Sequence, residues 1–228
     1  MAAQKNKSEV ETELKIKLSP EDLEKVFKSL SKKNGASKVS HKFLPRMYYD
    51  TPRLDFYKNN LSLRVQYKSG EKGRLGGYEQ TVKVELAQNA ALGKGVLLRK
   101  ECKNSVKSHK PELAAIADPV ARAALKPFQG KKLAHIFTAA IERRFFEWKL
   151  KDGKKHGVVE VAFDIGKIIL PHSNRHQDFS EIEVEIKSGS GEFIEIVKNK
   201  ILNMAPSAKI QPLSKSDQGS RFHLKHKK

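Results

Sequence analysis

Glu181-Ile182-Glu183-Val184-Glu185 places a carboxylate at every second position. In an extended strand such residues share one face, about 7 Å apart along the chain. Carboxylates held that close repel one another unless a cation intervenes. Glu11 and Glu13 repeat the pattern near the start of the sequence. Brought together, the two runs would form a site for a hard divalent cation. Mg²⁺ or Mn²⁺ prefers carboxylate oxygens and keeps positions open for phosphate oxygens. Basic residues alternate in the same manner. Lys15 continues the face of Glu11 and Glu13, Lys83 shares a face with Glu85, Arg99 with Glu101 and Lys103, and Arg64 with Gln66. A ring of Arg and Lys facing a metal site would grip phosphate oxygens. One interior holding both sets suits phosphoryl transfer, in which cations neutralise the phosphate chain and a metal polarises a phosphoryl group or activates water. For any single strand the bland alternative is a solvated sheet face. The Glu181–Glu185 run resists that reading, because solubility does not require three like charges in a row.

The elements that must position these residues are mostly strands. Glu9 to Leu18 alternates charged with mainly apolar residues, the period of a strand with one charged face. A helix follows, with Ser19 as cap, Pro20 in the first position, Glu21 and Asp22 in the first turn, and Leu23, Val26, Phe27 and Leu30 in one apolar stripe. Further strands are expected over about 39–49, 61–67, 78–86, 96–106, 135–149, 157–164 and 179–187. Asp50-Thr51-Pro52 and Lys58-Asn59-Asn60 read as turns, Ser69–Gly73 as a hairpin closure, and Gly166 as a turn before a short strand over 168–170. Ala-rich stretches at 111–117 and 119–126 read as two short helices, and 191–204 as the last helix. The basic end from His223 to Lys228 reads as a frayed tail, and residues 1–8 as flexible. Many antiparallel-looking strands with few helices and no βαβ alternation give an α+β class: a mainly antiparallel sheet, open or closed, with helices packed outside.

Composition narrows the partners. Across 228 residues, 45 Lys and Arg face 26 Asp and Glu, a formal charge of +19. That excess attracts polyanions, although short runs rich in glutamate are unexpected in a plain nucleic-acid binder. With Cys102 alone, neither an internal disulfide nor a multi-cysteine zinc site is possible. Residues 1–8 lack the apolar core of a secretory signal, and no apolar run is long enough to span a bilayer. A cytoplasmic protein with no membrane partner is the expectation.

Glu11-Thr12-Glu13-Leu14-Lys15 resembles the ExExK signature of the CYTH superfamily, the triphosphate tunnel metalloenzymes. Tyr48-Tyr49-Asp50-Thr51-Pro52, Leu61-Ser62-Leu63-Arg64-Val65, Thr81-Val82-Lys83, Glu142-Arg143-Arg144, Glu160–Asp164, Glu181–Glu185 and Leu213-Ser214-Lys215 follow in the family's order. ExExK alone is weak; the ordered set is specific and covers nearly the whole chain. The nearest subgroup is the bacterial inorganic triphosphatases. Within it the chain resembles the module that precedes a helical CHAD domain, with no second domain expected here.

The resemblance implies a closed eight-stranded antiparallel tunnel. It implies that Glu11, Glu13, Glu181 and Glu183, with Glu185 continuing their face, hold one or two Mg²⁺ or Mn²⁺ ions. Lys15, Arg64, Lys83, Arg99, Arg143 and Lys215 would grip the triphosphate, with Lys15 also stabilising charge in the transition state. Glu160 or Asp164 would orient the attacking water or support a second metal. The expected reaction is hydrolysis of inorganic tripolyphosphate. Thiamine or nucleoside triphosphate hydrolysis and adenylate cyclisation are the alternatives within the family, and a non-catalytic polyphosphate or RNA binder is the alternative outside it. The cyclase-type segment is not apparent in Phe43-Leu44-Pro45-Arg46. Two departures stand out: Gln66 replaces the second arginine of a Leu-Arg-x-Arg strand, and Gln218 precedes Gly219 where the family often has arginine. Cys102, opposite in parity to Glu101, is expected in outward packing. Trp148, Phe145 and Phe146 are expected to pack rather than stack on a base. Gly93-Lys94-Gly95 is expected to form a hairpin turn, since it lacks the spacing of a P-loop.

Overall fold

The computed structural model describes residues 7–68, 76–86 and 95–227. Eight strands close into an antiparallel barrel: β1 (Lys7–Lys17), β2 (Ser40–Asp50), β3 (Leu61–Lys68), β4 (Gly77–Glu85), β5 (Val96–Val106), β6 (Ala134–Asp152), β7 (Lys155–Ile169) and β8 (His176–Ser188). Around the wall they run β1-β5-β4-β3-β2-β6-β7-β8, and β8 returns to β1. Closure depends on β1, which pairs with β5 over Lys7–Leu14 and with β8 over Glu13–Lys17. A short strand, β9 (Lys209–Ile210), extends the far end of β1.

Strand parity decides what lies inside. On β1, Leu14 and Ile16 turn outward with Val161, Phe163, Ile182 and Val184, under two helices, α1 (Pro20–Leu30) and α4 (Glu192–Met204). Leu23, Val26 and Leu30 of α1 and Phe193, Val197 and Ile201 of α4 complete that cluster. On the opposite wall, Leu63, Val65, Val82 and Cys102 pack with Phe56 of α2 (Asp55–Lys58) and with Ala121 and Leu125 of α3 (Pro119–Leu125). The two main apolar clusters therefore lie between the barrel and its helices, and the inner face is left to charged side chains. Helix α1 starts as its sequence predicts, with Asp22 N donating to Ser19 Oγ at 3.1 Å. The Asp50 carboxylate organises the turn after β2, accepting from the backbone N–H groups of Thr51, Phe56 and Tyr57 at 2.6, 2.8 and 2.9 Å.

Several sequence expectations need correction. Lys7 and Ser8, expected in a flexible start, open β1, and of the helix expected over 111–117 only a 3-10 turn at Leu113–Ala115 forms. Gly166 is not a turn: β7 runs through it, joining the two strands expected over 157–164 and 168–170. A Cβ there would lie 2.2 Å from Ala140 O and 2.9 Å from Phe179 Cζ, so glycine serves a close approach of strand and side chain. The helix over 192–204 is not the last. A further helix, α5 (Lys215–His226), crosses one end of the barrel and includes His223–His226, which read as tail. Ser214 and Asp217 start α5 with a reciprocal capping box. Its Phe222 packs with Tyr48, Phe137, Ile168 and Phe179 at that end. The Ser69–Gly73 closure and residues 93 and 94 lie outside the described residues; Gly95 has φ +87°. Among the described residues no helix is long and apolar enough to cross a membrane.

Candidate active site

The barrel encloses a cavity of about 210 Å³ lined almost entirely by ionisable side chains. Lys15, Arg64, Lys83, Arg99, Arg143 and Lys215 all reach it, with Glu11, Glu13, Glu160, Glu183 and Glu185. Asp164 and Glu181 lie just behind that surface, fully or almost fully buried. The strands and the helix carrying Lys215 thus gather the candidate residues into one interior, most of them in two groups.

The first group spans β1, β4, β5 and β3. Ligand oxygens of Glu9, Glu11 and Glu101 all lie within 4.8 Å of one another. Lys83 Nζ pairs with Glu11 and stands 3.0 Å from Glu101 Oε1. Arg64 Nη2 donates to the same Glu101 oxygen at 3.2 Å, and Lys103 pairs with Glu101 and with Glu9. The second group spans β6, β7, β8 and α5. Here Asp164, Glu181 and Glu183 also converge within 4.8 Å. The Lys215 ammonium sits among them, 2.7, 2.6 and 2.8 Å from their oxygens. Arg143 forks onto Asp164 through Nε and Nη2, both at 2.7 Å, and also pairs with Glu183. Between the groups, Glu13 takes Lys15 and Arg99, and Lys15 Nζ lies 3.6 Å from Glu183. Glu185 sits nearer the rim with Lys187 at 2.7 Å, and Glu160 lies 3.8 Å from the same ammonium.

Burial and pairing set the protonation states. Burial opposes ionisation of Glu183, but Lys215, Arg143 and Lys15 outweigh it and hold the carboxyl well below the usual range. Burial likewise opposes charge on Asp164, and Arg143 with Lys215 keeps its pKa below the ordinary value. Glu160 behaves in the opposite way: burial raises its pKa despite Lys187 and Arg143. Burial lowers the pKa of Lys15 against the pull of Glu183 and Glu181. Lys215 is raised: burial works against its charge, and Asp164, Glu181 and Glu183 prevail. An ammonium at a helix's first position is disfavoured by the helix dipole; the three carboxylates explain why one stands there.

Buried carboxylates in threes match the oxygen donors of a hard divalent cation. Lysine and arginine hold those same oxygens, so a metal would compete with them for the carboxylates. Phosphate oxygens are the natural new partners for the released cations. The site is therefore suited to a metal and a polyphosphate that bind together.

Several participants escaped the sequence reading. Arg46 lines the cavity from β2, and its Nε donates to Gln66 Oε1 at 3.3 Å. The signal was present, since Arg46 shares parity with Tyr48 and Asp50. Glu9 and Glu101 were visible as members of charged faces but carried no assigned role. At the other departure, Gln218 Nε2 donates to Glu181 Oε2 at 3.1 Å, a neutral contact where arginine would add charge. Cys102 and Trp148 are buried in the outer packing as expected.

The CYTH domain family model matches residues 9–220. No curated protein sequence matches the chain significantly. Among solved structures, a proposed adenylate cyclase from Bacillus halodurans is similar over 94% of this chain and 98% of its own, with TM-score 0.56 and 18% identity. A proposed adenylyl cyclase from Hippeastrum, described as having a dominant triphosphatase activity, is similar over 93% and 96%, with TM-score 0.55 and 15% identity. The PH1819 protein from Pyrococcus horikoshii OT3 gives 93% and 99%, TM-score 0.53 and 16% identity. At these identities the likeness is one of fold.

Proposed function

The chain belongs to the CYTH domain family, and on that premise we propose that it hydrolyses inorganic tripolyphosphate to pyrophosphate and phosphate in its tunnel, with Mg²⁺ or Mn²⁺. The observation that carries this reading is the cavity lining. Among the described residues nine lysine and arginine side chains reach it, Tyr48 is its one aromatic, and no aliphatic side chain lines it. Such a lining offers charge and hydrogen bonds to phosphates and little to a base or a thiazole ring. Its volume of about 210 Å³ falls below the roughly 300–1,000 Å³ common for larger organic ligands. Triphosphatase activity in the Hippeastrum relative agrees with a phosphoanhydride substrate.

In this proposal Glu11, Glu13, Glu181 and Glu183 would hold one or two metal ions, with Glu9 and Glu101 beside Glu11, Asp164 beside Glu181 and Glu183, and Glu185 continuing the face. When bound, the metal neutralises the phosphate chain and makes a phosphorus centre more electrophilic. Lys15, Arg64, Lys83, Arg99, Arg143 and Lys215 turn from carboxylates to phosphate oxygens and fix the chain for in-line attack. Lys15, buried between Glu13 and Glu183, is placed to stabilise charge on a phosphoryl oxygen. Of the two candidate bases, Glu160 suits proton acceptance better: its pKa is raised, whereas Asp164 is tied by Arg143 and Lys215. Asp164 acts by positioning those two cations.

The test is phosphate release from tripolyphosphate, ATP and thiamine triphosphate, with Mg²⁺, Mn²⁺ or chelator, beside the Glu11→Gln/Glu13→Gln variant. Preferential cleavage of tripolyphosphate that requires metal and those glutamates supports the assignment. Preferential cleavage of ATP or thiamine triphosphate moves it within the family. No release from any of them by folded protein overturns it in favour of a polyanion-binding role, for which the charge of +19 provides attraction.

A further inference from the structure

Arg46 is the exception among the cavity's arginines. Arg64, Arg99 and Arg143 each face a carboxylate: Glu101, Glu13, and Asp164 with Glu183. Among the described residues Arg46 makes no ion pair, although only 8% of it is exposed. Its one hydrogen bond goes to a neutral amide, from Nε to Gln66 Oε1 at 3.3 Å. Burying an unpaired charge is costly, and a fold keeps such a group where a ligand will supply the opposite charge.

The neighbours define the ligand. Arg64, Arg46 and Arg143 stand on β3, β2 and β6, three consecutive strands of the wall. Their charges act on one another: burial, Arg64 and Arg143 lower the pKa of Arg46 to about 10 against a smaller opposing pull from Tyr48 and Glu183, which leaves it a cation at neutral pH. Gln66 is the direct cross-strand partner of Arg46. Gln66 Nε2 donates to Glu79 Oε1 at 3.3 Å, and Glu79 is itself paired with Lys68. A carboxylate only accepts, so the amide must turn its carbonyl toward Arg46. That contact uses Nε and leaves the terminal nitrogens of the guanidinium free to fork onto oxygens of one phosphoryl group.

We propose that Arg46 is a substrate-phosphate ligand of the tunnel, delivering from β2 the guanidinium that the neighbouring Gln66 position lacks, with Gln66 as its positioning residue. The proposal rests on the triphosphatase reading above. It predicts that the two positions are interchangeable across the β2–β3 pair, because they face each other in register.

The experiment compares wild type with Arg46→Gln, Arg46→Lys and the exchange variant Arg46→Gln/Gln66→Arg. Tripolyphosphate binding is measured by calorimetry with Mg²⁺ on a Glu160→Gln background that slows turnover, together with kcat and KM with Mg²⁺ in proteins that keep Glu160 and the melting temperature without ligand. Loss of a charge-assisted contact should weaken tripolyphosphate binding by about tenfold or more in Arg46→Gln. The lysine variant should fall between the two, and the exchange variant should regain most of the loss. The ligand-free melting temperature of Arg46→Gln should stay level or rise, because an uncompensated charge has been removed. A lower melting temperature with unchanged tripolyphosphate affinity and KM would show that Arg46 is structural and overturn the proposal. Failure of the exchange variant to recover affinity overturns the interchangeability of the two positions. If wild type itself neither binds nor cleaves tripolyphosphate, the functional reading falls first, and the proposal with it.

Discussion

Gly219 of α5 lies flat against the ring of Phe137 on β6, so close that a Cβ would sit 2.2–2.4 Å from three ring carbons. This contact sets the depth at which α5 docks. The same helix carries Lys215 and Gln218, which reach Glu181. Gly219→Ala should therefore push α5 outward, costing roughly 1–3 kcal/mol as overpacking does. The melting temperature should fall by several degrees, and triphosphate turnover should fall with it. An alanine variant that melts like wild type would show that the contact does not control docking.

Lys215 compensates three buried carboxylates at once. Lys215→Met leaves Asp164, Glu181 and Glu183 facing one another with Arg143, Gln218 and, for Glu183, Lys15 as remaining partners. Removing one side of a buried ion cluster costs on the order of 3–5 kcal/mol. The deficit should be largest at neutral pH and shrink as the medium becomes acidic enough to protonate those carboxyls. Melting curves of both proteins across pH would show this convergence; a deficit independent of pH would argue against the cluster as its cause.

The wild type should weaken in acid. Asp164 and Glu183 have folded-state pKa values below their ordinary ones, so folding favours their ionised forms. Their contribution to stability is full above the ordinary carboxylate range near 4 and is lost as pH falls through the depressed folded values. Urea midpoints should hold steady from neutral pH to about 5 and then drop steeply. A midpoint that falls equally between pH 8 and 6 would point to other groups.

Cys102 should be unreactive in the native protein. It is packed among Val82, Val106 and Ile116, and burial pushes its thiol up to about 11. The thiolate is the reactive form, so Ellman's reagent should label it slowly until denaturant is added. Rapid stoichiometric labelling of the native state would contradict the outward packing of β5.

The alternation of Glu11, Glu13 and Lys15 with Leu14 and Ile16 was enough to predict a strand with a charged inner face, and Glu181–Glu185 repeated that logic. What alternation does not contain is the pairing across strands. Glu11 meets Lys83 of β4, and Asp164 meets Lys215 of α5; these partners are fixed by register and closure, at long sequence separation. For that reason the carboxylates expected to hold one or two metal ions fall, among the described residues, into two clusters that Glu13 and Glu185 do not join, with Glu9 and Glu101 beside Glu11 in one and Asp164 beside Glu181 and Glu183 in the other.

Helix α5 was missed for a different reason. Lys215-Ser216-Asp217-Gln218-Gly219-Ser220 has no apolar stripe, and its helicity comes from the Ser214–Asp217 capping box and from docking on the barrel. Gly166 misled because glycine inside a strand and glycine in a turn look alike in a sequence. Only the nearness of Ala140 O separates the two cases.

The double pairing of β1 also constrains how the chain can fold. The hairpins β3–β4 and β6–β7–β8 join strands near in sequence and can form locally. β1 must find β5, starting at Leu14 with Val96, and β8, where Glu13 meets Glu185. Contacts across such distances must overcome loop-closure entropy before they contribute stability, and they form slowly. β1 precedes the other barrel strands yet gains its second neighbour only when β8 is made, and a ribosome-bound chain ending before residue 176 has no second edge on which β1 can close the ring.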